Sequence, residues 1–414
     1  MTNRNPRMLQ GYRVLELGHF VAGPTCAKIL GEMGAEVIKV ERTLQGDHSR
    51  RFGIVKDGAS TYFVQHNHGK LCVGLDLKKP RARELVLAMV PKLDVFVENF
   101  APGVIDAMGL GYEELRRINP RLIMCSISVA GQTGPLNRIP GYDYIGAAYA
   151  GITGLLGEPD RPPVTPGLAI GDVSTGVAAA MAVGFALLHR ERTGEGQYID
   201  ASIVDTYFHM HEQNVPVVAI REGRYKARRT GSMHPSMSPC GVFPTRDGYI
   251  FIIVQQHEMG RLGRAMGKPD ILDDPRFATN RDRMKNSAAM REMIEAWLMT
   301  FPGRAGALAA LEAHRVPCAP VLTLDEAMTH PQLIERGTVR KARDKLVGEF
   351  PIPGIPVRFS AWPQSDAPVE ASMVGADNER VMREMLGLSD DEIAALYADG
   401  VLIHHTLPLP AENA

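Results

Sequence analysis

The sequence predicts an α/β fold: a doubly wound large domain joined to a smaller α+β domain. Three observations carry this. At 414 residues the chain exceeds the size at which one hydrophobic core stops growing, so two domains are the default. Through the first half of the chain, short apolar runs alternate with helical patterns, the order of βαβ units and a parallel sheet. Farther on, two β-like runs at 241–244 and 249–254 precede three helical stretches at 261–266, 290–299 and 305–313. The expected division is 1–220 for the first part of the large domain and 221–320 for the small one. Residues 321–414 then form a linker and C-terminal helices that return to the large domain.

Taken in order, Tyr12-Arg13-Val14-Leu15-Glu16-Leu17 reads as a buried strand, and Pro24 marks a helix start. Residues 34–41 supply a turn and a second strand, completing a right-handed βαβ unit. The connecting turn lacks G-x-G-x-x-G, so no nicotinamide dinucleotide site is signalled. Strands follow at 71–75, 95–97 and 122–126, with helices at 80–90 and 112–118. Ligands of such sheets lie beyond the carboxyl ends of the strands, here 18–23, 41–42, 99–103 and 128–134. Arg42 is a candidate partner for a phosphate or carboxylate, against the commoner surface salt bridge. Residues 131–171, rich in Gly, Pro and Tyr, read as loop or short helix against the site. A long helix ends near His189-Arg190-Glu191-Arg192, whose basic residues complement its dipole, and a turn leads to a strand at 197–201. The basic run Arg221, Arg224, Lys226, Arg228 and Arg229 is either a solvated loop or an anion binder. Irregular sequence at 350–363 leads to helices at 377–386 and 389–397, the second opened by a Ser389 cap with acidic residues behind it.

Composition excludes several classes. Hydrophobic residues make up 45% and charged residues 22%, a globular balance, and a formal net charge of −1 signals no nucleic-acid partner. Five scattered cysteines without C-x-x-C spacing argue for a reducing compartment. No signal core opens the chain and no apolar run approaches a membrane span, so the expected location is the cytoplasm, away from membranes. His257, His314 and His330 are isolated, and no metal site is expected.

The pivotal stretch is Ile170-Gly171-Asp172-Val173-Ser174-Thr175-Gly176, which opens the apolar run of the long helix. Asp172 is either an ordinary N-cap or a nucleophilic carboxylate that a substrate can approach between glycines. The local pattern leaves both open.

The ordered motifs resemble the class III CoA-transferase family, with α-methylacyl-CoA racemase as a divergent branch. They are Ala22-Gly23-Pro24, Gly34-Ala35-Glu36-Val37-Ile38-Lys39-Val40-Glu41-Arg42, Val97-Glu98-Asn99-Phe100, Gly141-Tyr142-Asp143, Gly171-Asp172, His189-Arg190-Glu191-Arg192-Thr193-Gly194-Glu195-Gly196, and Val316-Pro317-Cys318-Ala319-Pro320. The resemblance covers nearly the whole chain. It implies a Rossmann-like large domain and a ring-shaped chain interlocked with its twin in a homodimer. It implies that Asp172 attacks an acyl-CoA thioester to form an acyl-aspartyl anhydride and then an aspartyl-CoA thioester, passing coenzyme A to a carboxylic acid, with acyl-CoA as substrate and no permanently bound cofactor. N–H groups at the helix start would stabilise the charge that develops. The family's CoA contacts fall on Val21, Ala22, Arg42, Leu75, Lys78, Asn99, Phe100, Tyr142 and Asp143, and the acyl pocket on Tyr62 and His234. Tyr142 stands where the racemase branch has its proton-transferring histidine, which favours transfer over racemisation. A CoA-binding protein without chemistry is the remaining alternative. Basic residues, Tyr62 and the His234 loop would suit a dicarboxylate such as succinate, whereas Met233 and Met237 would suit a branched or aromatic acyl group.

Overall fold

The computed structural model describes residues 7–56, 59–362, 365 and 367–405. Two compact units form. The first takes the described residues up to Ala150, Pro166–His211 and the described residues from Pro331 onward; the second takes Gly151–Thr165 and Glu212–His330. The second unit thus begins before residue 221, runs past 320 and recruits a short segment from inside the large domain.

In the first unit, strands β1 (Arg13–Leu17), β2 (Glu36–Glu41), β5 (Leu71–Gly74), β6 (Val95–Glu98), β7 (Ile123–Ser128) and β8 (Tyr198–Ser202) form one sheet, and β3 (Val55–Lys56) and β4 (Ala59–Ser60) a minor pair. The sheet order is β5-β2-β1-β6-β7-β8, every pair parallel. Chain order reverses at β1, the switch point of a doubly wound sheet. Alternation along the strands sends Val14, Val95 and Val97 into one core and Leu15, Leu17 and Phe96 into another, so both faces are covered.

The helices of this unit are α1 (Ala22–Glu32), α2 (Thr61–Asn67), α3 (Pro80–Met89), α4 (Val104–Ala107), α5 (Tyr112–Ile118), α6 (Asp143–Tyr149), α7 (Ile170–Thr193) and α8 (Ile203–His209), followed by helices near the C-terminus. Helix α1 starts at Ala22, two residues ahead of Pro24. Helix α7 packs on α1 at Gly176, where an added Cβ would meet the Ala22 carbonyl oxygen at 2.7 Å. The expectation that no apolar run approaches span length needs correcting. Helix α7 is long and apolar enough to cross a membrane, with mean hydropathy 1.6 and 44% of that window buried in the protein. Its Gly- and Ala-rich face, including Gly176, Ala179, Ala180 and Val183, packs inward, while Val173, Val177, Met181 and Phe185 are exposed.

Two further elements were hidden. Residues 339–353 form an antiparallel hairpin, Val339–Asp344 with Gly348–Pro353, where irregular sequence was expected from residue 350. Helix α8 follows β8 directly and carries its own Ser202 cap on the Asp205 N–H. Ser389 caps the last helix through a capping box with Glu392, as its sequence predicts. The second unit has a three-stranded antiparallel sheet, Cys318–Pro320, Gly248–Ile253 and Cys240–Thr245, packed with helices around Phe243, Ile250, Ile294 and Leu311.

A fully buried charge network ties β1, β2 and the loops beyond them. Glu16 accepts from Lys39 at 2.7 Å and from Lys70 at 2.6 Å; Lys39 also pairs with Asp47 at 2.8 Å. Lys39 donates to the Gly18 carbonyl, Lys70 to the Pro24 carbonyl, and Asp47 accepts the Phe20 N–H. Buried charges of this kind are stable only as a set. Glu16→Ala, which strands two ammonium groups, is expected to lower unfolding free energy by about 3–5 kcal/mol in urea titrations; a loss below 1 kcal/mol would show that solvent reaches the network.

Candidate active site

Helix α7 begins earlier than the capping argument assumed. Its N-cap is Ala169, with no side-chain cap, so Asp172 is the third helical residue and not an N-cap. What fixes it is another carboxylate. The Asp172 N–H donates to Asp143 Oδ2 at 2.9 Å, and the Tyr207 hydroxyl donates to Asp143 Oδ1. Asp143 is buried in the first turn of α6, where the helix dipole favours its charge. Tyr207, from α8, is buried against Gly171: a Cβ there would meet its ring at 2.2 Å, so only glycine admits this contact. Neither Tyr207 nor the pairing was foreseen, since residues 143, 172 and 207 are distant in sequence and nothing local links them. The observed role of Asp143 is to hold α7, and both its oxygens are engaged in doing so.

The same contacts alter a second expectation. The Asp172 N–H is taken by Asp143, the Val173 N–H bonds the Ala169 carbonyl at 3.1 Å, and the Gly171 N–H lies against the Tyr207 oxygen. Two of the donors at the helix start, the Asp172 and Val173 N–H groups, are therefore engaged within the fold.

No donor among the described residues hydrogen-bonds the Asp172 carboxylate, which is half-buried. Burial first, and then the Asp143 charge, push its pKa up to about 7. It opens on a cavity of about 70 Å3 lined by His19, Phe20, Val21, Ala22, Asn99, Ile127, Ser128, Val129, Gly141, Tyr142 and Ile203. The carboxyl ends of β1, β6 and β7 thus converge on Asp172, as the sheet topology dictates.

The structure brings most predicted residues to this end of the sheet. Val21, Ala22, Asn99 and Tyr142 line the cavity. Asn99 is anchored to His19: its Nδ2 donates to the His19 carbonyl and its Oδ1 accepts the His19 N–H, both at 2.9 Å. Tyr142 is exposed and its ring meets Phe20 edge-on, with centroids 5.9 Å apart. Phe20 itself holds a left-handed φ of 60°, kept there by its N–H bond to Asp47. Tyr62, second residue of α2, has its pKa raised by burial and next by the Asp172 charge. Arg42 forms no ion pair among the described residues; its guanidinium lies 4.4 Å over the Phe100 ring, half-buried, so the salt-bridge alternative does not hold. Lys78 is exposed, while Leu75 is fully buried, its N–H bonded to the Glu41 carbonyl, and offers no surface to a ligand. His234 belongs to the second unit, where its Nδ1 accepts the Ser236 N–H at 3.2 Å; Arg229 in that unit is bonded to the Glu158 carbonyl. Among the described residues no cluster of three or more His, Cys, Asp or Glu could hold a metal ion.

A raised carboxyl pKa has a sign. Its ordinary value is 3.8 and its folded value about 7, so the folded state holds the extra proton between those limits and loses stability as pH rises through them. Asp172→Asn is expected to raise the thermal midpoint at pH 8 by a few degrees, with the gain fading below pH 4. Equal midpoints at pH 8 would mean that the carboxylate is solvated in the folded protein.

The family model for CoA-transferase family III matches residues 9–378. Over 404 residues the chain is 35% identical to the succinyl-CoA–D-citramalate CoA-transferase of Chloroflexus aurantiacus, covering 97% of this chain and 100% of that protein. It is 34% identical over 408 residues to the succinyl-CoA:glutarate CoA-transferase of Mus musculus, covering 96% and 91%. Among solved structures, a CAIB/BAIF family protein from Brucella suis matches with a TM-score of 0.78 at 34% identity, covering 92% of this chain and 100% of that one. The parallel sheet, the ordered motifs and these similarities agree, and the chain belongs to CoA-transferase family III.

Proposed function

We propose that this enzyme moves coenzyme A from succinyl-CoA or another dicarboxylyl-CoA to a carboxylic acid acceptor, with Asp172 as the nucleophile. One observation carries the reading: a half-buried carboxylate without a hydrogen-bond donor, held by its own main chain at the mouth of a cavity beyond the sheet. Desolvation leaves its ionised form more reactive than a hydrated carboxylate.

In this mechanism an Asp172 oxygen bonds the thioester carbonyl carbon, and the C–S bond breaks to release CoA thiolate and an acyl-aspartyl anhydride. The thiolate returns to the aspartyl carbonyl, freeing the donor acid and leaving an aspartyl-CoA thioester. The acceptor carboxylate attacks that thioester, giving a second anhydride and thiolate once more. Attack of the thiolate on the acceptor's acyl carbon completes the new CoA ester and restores Asp172. Arg42, free of any carboxylate, and the exposed Lys78 are suited to the phosphates of CoA, and Tyr142 to its thioester arm. Tyr62 borders the acyl group.

The dicarboxylate assignment is supported by relatives named for succinyl-CoA with citramalate or glutarate. A transfer assay with succinyl-CoA and a panel of acids tests it. Dicarboxylic acceptors are expected to exceed monocarboxylic ones at least tenfold in kcat/KM, with activity rising along an acid limb near pH 7 as Asp172 ionises. Acceptance of monocarboxylic acids alone would overturn the substrate class.

We also propose that two chains interlock as a homodimer. The exposed apolar row Val173, Val177, Met181 and Phe185 along α7 supports an association surface. Sedimentation equilibrium is expected to give twice the chain mass, and a monomer at micromolar concentration would contradict it.

A further inference from the structure

In the mechanism above, negative charge collects on the thioester carbonyl oxygen when Asp172 attacks. Two donors at the start of α7, the Asp172 and Val173 N–H groups, are already engaged within the fold. The cavity beside Asp172 holds about 70 Å3, the space of roughly two water molecules. A carbonyl group seated there meets the walls, so the donors that border the cavity decide where the charge is held. His19 borders it.

The position of His19 is set twice over. Asn99 brackets its main chain, with Oδ1 accepting the His19 N–H and Nδ2 donating to the His19 carbonyl. Gly18 and Gly23 leave room for that amide: an added Cβ would lie 2.9 Å from Asn99 Oδ1 at the first and 3.0 Å from Asn99 Cγ at the second. The imidazole itself packs against His48, Phe100 and Phe20, with ring centroids 5.3, 5.7 and 5.8 Å away. Yet neither ring nitrogen has a hydrogen-bond partner among the described residues, and neither is sealed from solvent, unlike the two ring nitrogens of His405. A half-buried imidazole fixed through its main chain and by three rings, with its polar edge unbonded, is arranged to meet a ligand. Its charge state agrees. Burial, opposed by Asp47 and reinforced by His48, Arg42 and Lys39, lowers its pKa to about 4, so the ring is neutral near pH 7. A neutral imidazole donates a hydrogen bond without forming an ion pair that would tie up the Asp172 carboxylate.

Building on the reading of Asp172 as nucleophile, we propose that His19 is a further catalytic residue: its ring N–H donates a hydrogen bond to the acyl oxygen of the CoA ester and strengthens that bond as the oxygen becomes an oxyanion. As the Asp172 oxygen bonds the carbonyl carbon, the C=O π pair moves onto the acyl oxygen that the His19 N–H meets. When the pair returns, the C–S bond breaks and the thiolate leaves with its bonding electrons. The proton stays on His19 throughout, so the residue acts by charge stabilisation alone.

The test mixes the full-length enzyme with succinyl-CoA, without acceptor, and follows by rapid-quench intact mass the rate at which the protein gains CoA. His19→Phe keeps a ring among the three it packs on and removes both nitrogens. It is expected to slow this step on the order of 10²-fold, with the succinyl-CoA dissociation constant, read in the Asp172→Ala background, unchanged. His19→Gln, which restores an N–H donor, is expected to recover part of the rate. The thermal midpoint of His19→Phe should equal or exceed that of the wild type, since no protein hydrogen bond is lost. A wild-type rate in His19→Phe would overturn the assignment while leaving Asp172 in place. So would a weaker dissociation constant with an unchanged rate, or equal rate losses in both variants with midpoints several degrees lower. A wild-type enzyme that never gains CoA would instead remove the covalent reading, and the His19 role with it.

Discussion

The structure depends on a carboxylate that binds two ammonium groups in the dark of the sheet. Glu16 on β1 joins Lys39 on β2 to Lys70 at the edge of β5, and Lys39 reaches Asp47. Lys39 then bonds the Gly18 carbonyl of the loop after β1, Lys70 the Pro24 carbonyl in the first turn of α1, and Asp47 takes the Phe20 N–H from the same loop. That loop carries Val21 and Ala22 into the cavity, so a network with no direct part in chemistry sets one wall of the site. Burial lowers the pKa of Lys70 to about 8 despite Glu16 beside it, a sign of how dry this region is.

The turn that carries Asp172 is held by another buried carboxylate. Asp143 accepts the Asp172 N–H and so fixes the first turn of α7, and Tyr207 holds Asp143 in turn. The consequence is an opposition between stability and reactivity. Burial, and then the charge of the Asp143 that positions it, disfavour the ionised form of Asp172, so the carboxylate proposed to react is also a liability to the fold at neutral pH. A nucleophile that must be ionised, unsolvated and immobile carries such a cost, and on the proposed reading of Asp172 it falls on a single turn of helix.

Much of this was legible in the sequence, for physical reasons. Strands β1, β2, β5, β6 and β7 are short apolar runs buried on both faces, and their alternation with helices implied the parallel sheet that the strand order realises. The Asp172 setting was visible as a motif, but its place as the third residue of α7 was not, because Ala169 offers no capping signal. Asp143 read as a ligand contact, whereas its oxygens are taken by Tyr207 and a main-chain N–H that only the tertiary fold brings near. Leu75 shows the same limit: a residue at a strand end is not thereby at the surface, and its side chain lies wholly in the core.

The central claim is that the Asp172 carboxylate becomes covalently bound to CoA. Peptide-level mass spectrometry after incubation with succinyl-CoA and borohydride tests it most directly, because an aspartyl thioester is reduced to the alcohol while a free carboxylate is not. The account predicts that the peptide spanning residue 172 carries the alcohol at Asp172 and that Asp172→Ala shows none. A reduced carboxyl at another residue, or none under conditions where the enzyme turns over, would contradict it.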